Sequence, residues 1–113
     1  MPDSGDNGIA VRNEEGDFFL PLGVAVRVVP IPELTEVPGA PREVLGIALH
    51  EGEVILVLAA GIHGTSLLLC KTEEGLVGLV GLEIAQFDVK RESLPLFNLD
   101  RLLEAARAGR KSV

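Results

Sequence analysis

Apolar residues along this 113-residue chain cluster in short runs separated by glycine, proline or paired acidic residues, and only the last stretch changes to helical spacing. Residues 9–13 and 18–22 flank Glu14-Glu15-Gly16-Asp17 and predict a hairpin with a glycine-containing loop. Residues 24–29 (VAVRVV) are rich in β-branched valine. Pro30 and Pro32 forbid their continuation as a central strand or helix interior, so a third short strand or a single turn is expected. Pro41 suits the first position of a helical turn that Gly46 would end, before residues 47–49 become extended. His50-Glu51-Gly52-Glu53 then predicts a hairpin into residues 54–58 (VILVL), which are apolar on both faces and so should lie centrally, covered on both sides. A further hairpin joins residues 67–70 and 76–80 around Lys71-Thr72-Glu73-Glu74-Gly75, with residues 81–89 as its extension. Asn98 reads as the N-cap of one amphipathic helix: Leu99, Leu102, Leu103 and Ala106 share a face, and Gly109 follows the last turn. Six to eight closely spaced short strands predict a mainly β fold, a small barrel or a pair of barrels, with a short C-terminal helix.

The boundaries follow from composition. Residues 1–8 (MPDSGDNG) are polar and glycine-rich, as in a disordered terminus; residues 9–109 form a single domain, and 110–113 a disordered tail. A mass of 12.0 kDa leaves room for one domain, or for two small sub-barrels sharing a core. Hydrophobic residues make up 47% of the chain, enough to fill that core and leave apolar surface for a partner. A net charge of −7, with lysine and arginine scattered rather than clustered, argues against nucleic acid or an anionic membrane as partner. The longest apolar stretches, residues 54–60 and 76–82, fall well short of the roughly 20 residues of a membrane helix. With Cys70 alone and no signal-type opening, the expected location is the cytoplasm.

Candidate chemistry is thin. Gly75, Gly78 and Gly81 repeat every three residues but lie within a β-run, where glycine marks a bulge or close packing rather than a phosphate loop. His50, His63 and Cys70 are the soft ligands, and their spacing matches no usual zinc pattern, so no metal or other cofactor is expected. His63, Thr65 and Ser66 share one short loop without a nucleophile elbow. The paired carboxylates Glu14-Glu15, Glu51/Glu53 and Glu73-Glu74 all fall at hairpin tips, wet sites that disfavour general acid catalysis, which needs a carboxylate that is buried or held beside a like charge. No catalytic set emerges, and the chain is not expected to be an enzyme.

One stretch stands out: Val37-Pro38-Gly39-Ala40-Pro41. Its prolines fix their own φ and hold Val37 and Ala40 extended, while Gly39 takes the positive φ of a tight reversal. Such a corner can turn the chain between barrels, and can equally be recognised by a partner without an ordering cost.

Residues 30–60 (PIPELTEVPGAPREVLGIALHEGEVILVLAA) resemble the central signature of CheW-like domains. The Val37-Pro38-Gly39-Ala40-Pro41 element, Val44, Gly46, Gly52 and the β-run from Val54 fall in register with that pattern. Residues 16–29 are similar to the family's opening strands, residues 75–89 (GLVGLVGLEIAQFDV) to a later strand pair, and residues 99–103 to its closing helix. The resemblance covers roughly residues 9–106. It implies two intertwined SH3-like β-barrels and a non-catalytic cytoplasmic adaptor that couples a methyl-accepting chemoreceptor signalling domain to the regulatory domain of a CheA-type histidine kinase. Departures accompany it: Leu49 stands where the family has asparagine, Glu51 where it has arginine, Leu56 for proline and Ala59 for aspartate. The link from Gly61 to Ser66 is short, so the second barrel is expected to be abbreviated and the bridging of both partners poor, with binding to the receptor preferred over the kinase. A short paralogue like those beside the full-length adaptor in Frz-type systems of gliding bacteria fits this length. The partner-binding surface is then expected at Val37, Pro38, Gly39, Ala40 and Pro41, together with His50, Glu51 and Gly52, where Glu51 beside Glu53 reverses the field an arginine would set. The alternative classes are a small ligand-binding barrel or enzyme subunit, which would need a pocket with convergent polar groups, and a structural subunit that self-associates through β-edges. The oligomeric state is not legible from the chain.

Overall fold

The computed structural model describes residues 7–62, 64–73 and 75–108. In chain order these form β1 (Asn7–Asn13), β2 (Gly16–Pro21), β3 (Ala25–Pro30), β4 (Val44–His50), β5 (Glu53–Ala59), β6 (Ser66–Thr72), β7 (Gly75–Val80), β8 (Glu83–Lys90), a 3-10 turn over Arg91–Ser93, and α1 (Leu99–Ala108). Two sheets result, ordered β2-β1-β8 and β3-β6-β7-β5-β4. Among the described residues no helix is long and apolar enough to cross a membrane.

The larger sheet curls so that its edge strands approach at one end without pairing. Arg27, on edge strand β3, reaches Glu51 in the turn that follows the opposite edge strand β4, with Nη1 and Oε2 3.4 Å apart. The interior of this curled sheet is filled by Ala48, Ile55, Val57, Leu67 and Leu69. The smaller sheet is closed differently: residues 95–97 run along the outer edge of β2. There Phe19 N–H donates to the Pro95 carbonyl at 2.7 Å and Phe97 N–H to the Phe19 carbonyl at 2.9 Å. Ala10, Phe19 and Val89 pack inside it against Leu94. With three strands against five, this is the abbreviated barrel.

A shared core joins the two. Ile9, Val11 and Leu20 of the smaller sheet meet Leu58, Leu68 and Leu79 of the larger, and Leu103 and Ala106 of α1 seal the junction. The Asn98 cap is in place, its Oδ1 accepting from Arg101 N–H at 3.0 Å, which satisfies one of the free donors of the first helical turn.

Several elements depart from the sequence reading. Strand β1 begins at Asn7, so Asn7 and Gly8 belong to the domain rather than to a disordered terminus; residues 1–6, Gly109 and 110–113 lie outside the described residues. The turn opened by Pro41 closes at once through Val44 N–H to the Pro41 carbonyl, 3.0 Å. Gly46 does not end it but lies inside β4 at φ 153°, where a Cβ would come within 2.5 Å of the Thr35 carbonyl oxygen. Strand β5 is paired on both sides, yet its pairing with β7 starts only at Leu56, which leaves Val54 at the projecting hairpin end 66% exposed. Residues 81–89 do not extend the β6-β7 hairpin. The chain breaks at Gly81, φ 105°, and β8 crosses to pair with β1 in the other sheet.

Candidate partner-binding surface

The corner and the hairpin sit at opposite ends of β4. At the corner Ala40 N–H donates to the Val37 carbonyl at 3.2 Å, Gly39 has φ 78°, and Val37, Pro38 and Gly39 are exposed while Ala40 and Pro41 are half-buried. At the hairpin, His50 pairs with Glu53, and Glu51 (φ 50°) and Gly52 (φ 86°) form the turn. Positive φ at both central residues is the type I′ arrangement, whose twist matches that of the flanking strands. At about 3.3 Å per residue, β4 separates the corner from the hairpin by about 20 Å, so these residues form two surfaces rather than one groove.

Glu51 is exposed but engaged. Besides the Arg27 contact, His50 Nε2 lies 3.8 Å from the same Oε2, with the imidazole itself largely covered. Sequence reasoning placed Glu51 beside Glu53 alone and missed Arg27, because β3 and the β4-β5 turn approach only once the sheet curls.

It also missed an apolar rung. Leu49 and Val54 are direct cross-strand partners and are 67% and 66% exposed. Ala48 and Ile55 point inward on the same strands, so the alternation places Leu49 and Val54 on the outer face. The available signal was the apolar pair flanking a polar two-residue turn. Beside the rung lies a groove of about 360 Å³ lined by Pro32, Glu33, Thr35, Ile47, Ala48, Leu49 and Val54.

A wider cleft, about 650 Å³, opens between the two sheets and α1, and Phe18, Ile62, Leu96 and Arg101 are among its walls. Two bonds tie the β1-β2 turn to its far wall: Asn13 Nδ2 donates to the Ala60 carbonyl at 2.7 Å, and Ile62 N–H donates to Glu14 Oε1 at 2.9 Å. Phe18 meets Phe97 edge-on at 5.8 Å.

The residues considered for metal or nucleophilic chemistry are dispersed. Cys70 is fully enclosed in the shared core, where burial pushes its thiol up to about 12, while His50 stands at the hairpin. His63 lies outside the described residues, as does Glu74. Among the described residues no three His, Cys, Asp or Glu side chains gather as a metal-binding group.

No curated protein matches the chain. Among solved structures, the scaffolding protein TtCheW from Thermoanaerobacter tengcongensis superposes with a TM-score of 0.66 at 18% sequence identity. The match covers 80% of this chain and 66% of that one, so the chain spans just under two thirds of that protein's length. The sequence pattern of the CheW-like domain matches residues 7–86, which takes in β1 to β7 and the first half of β8. The chain belongs to the CheW-like domain family.

Proposed function

We propose that the chain is a non-catalytic adaptor of a cytoplasmic chemosensory pathway. In this role it docks on the signalling domain of a methyl-accepting chemoreceptor, and more weakly on the regulatory domain of a CheA-type histidine kinase. The observation that carries this reading is the CheW-like match across residues 7–86. Two further features support it. The described interior contains no buried polar side chain, which leaves a small molecule without convergent groups to orient it. The outer face instead carries exposed apolar residues on rigid strands and turns, the kind of surface that binds a protein partner.

The abbreviated barrel argues for unequal partners. An adaptor bridging two proteins needs a surface for each, and here the smaller sheet has three strands against five in the other. The partner-binding residues in this reading are Val37, Pro38, Gly39, Ala40 and Pro41 at one end of β4 and His50, Glu51 and Gly52 at the other. Co-sedimentation of the chain with a receptor signalling domain, a kinase regulatory domain, and both together is the direct test. Binding to the receptor fragment with poor recruitment of kinase is expected; a complete three-component assembly at normal stoichiometry would contradict the unequal docking, and binding to neither would contradict the adaptor reading.

A further inference from the structure

The outer edge of β4 is covered at one point and then left open. Thr35 and Ile47 exchange two backbone hydrogen bonds, each 2.9 Å. In an antiparallel ladder alternate residues direct their N–H and C=O to the same side, so Leu49, two residues on, also turns its backbone groups away from β5. No described residue meets them there. Glu33, which the register of the Thr35–Ile47 bridge sets opposite Leu49, makes no bridge to it, so the segment before Thr35 departs from β4 beside the 360 Å³ groove. Leu49 and Val54 face each other across a non-hydrogen-bonded position, where side chains approach most closely, and together they form one apolar rung on its wall.

Carboxylates outnumber cations around this site. Glu33 lines the groove, and Glu51 and Glu53 are exposed at the adjoining turn; Arg27, the nearby cation, is held by Glu51. A second copy of the same face would set carboxylate against carboxylate, which disfavours self-association here. We propose that this edge receives an extended segment of a protein partner in which an aliphatic side chain is flanked by lysine or arginine. The segment adds to β4 at Leu49 through its backbone, seats its aliphatic residue against Leu49 and Val54, and places its cations near Glu33 and Glu53.

This inference names the chemistry of the partner for the hairpin end of the proposed adaptor surface, and its test does not use receptor or kinase. The acetylated, amidated peptide KVKIKVK and its acidic counterpart EVEIEVE are titrated into the full chain, with backbone amide shifts followed at low and high salt. The basic peptide is expected to shift residues around Leu49, Glu33 and Val54, and to weaken with added salt. Leu49→Ser should loosen it about tenfold, whereas Phe87→Ser, an exposed apolar residue on the other sheet, should not change it. Equal binding of both peptides, shifts centred elsewhere, no binding, or undiminished affinity in Leu49→Ser would each overturn the proposal. A negative result would leave receptor co-sedimentation standing, and loss of receptor binding would leave a positive peptide result standing.

Discussion

Single residues in this chain carry unequal weights, and their partners decide which matter. Gly46 is fixed twice over, by φ 153° and by the Thr35 carbonyl oxygen 2.5 Å from where a Cβ would sit. Gly46→Ala must distort either β4 or the Thr35 bridge, and a loss of about 2 kcal/mol is expected from urea unfolding. The sequence marked Gly46 as special but assigned the wrong reason, because the close approach comes from residue 35, remote along the strand path. Arg12 and Asp17 face each other across β1 and β2 with Nε and Oδ1 2.7 Å apart. The Arg12 hydrogen bond holds the Asp17 carboxyl below its ordinary 3.8. A lowered carboxylate pKa adds stability that is complete above the ordinary value and disappears as pH falls through the native one. Asp17→Asn should therefore flatten the acid limb of the stability profile near and below pH 3.8 while leaving its shape above pH 6 unchanged. An unaltered acid limb would show that this exposed pair titrates as two independent groups.

At the scale of elements, local chemistry was readable and non-local pairing was not. The β4-β5 turn, the β6-β7 hairpin and the Asn98 cap each depend on residues adjacent in sequence, and the structure has all three. Strand β8 follows a hairpin and carries the same apolar run, so nothing local tells that it crosses to β1; the break at Gly81 decides it. The exposed rung of Leu49 and Val54 escaped for a related reason. An apolar residue on each face of a strand predicts burial on both faces, unless pairing with a neighbour starts late, as that of β5 with β7 does at Leu56. The cap gives a quantitative check on the last element. Asn98→Ala removes the acceptor for Arg101 N–H and should destabilise the protein by about 1 kcal/mol, with Asn98→Asp close to wild type in the same thermal melts.

For the whole molecule, the decisive feature is that two sheets and a helix share one core. Ile9 and Val11 come from the smaller sheet, Leu58, Leu68 and Cys70 from the larger, and Leu103 and Ala106 from α1. Neither barrel can lose its packing without stripping apolar surface from the other, so unfolding should be a single cooperative transition. Cys70 provides the probe. It is fully buried, and burial raises its thiol from the ordinary 9.0 to about 12, so the native thiol stays protonated and inaccessible near neutral pH. Labelling by a thiol reagent should then require opening of the shared core, and its denaturant dependence should superimpose on far-ultraviolet circular dichroism of the whole chain. The same shift fixes the alkaline behaviour. Above pH 9 the unfolded thiol ionises while the native one keeps its proton, so stability should fall steadily as pH rises toward 12, and Cys70→Ala should lack this component. Labelling that runs ahead of the loss of β-structure would show that the larger sheet opens by itself, which a core shared among both sheets and α1 does not allow.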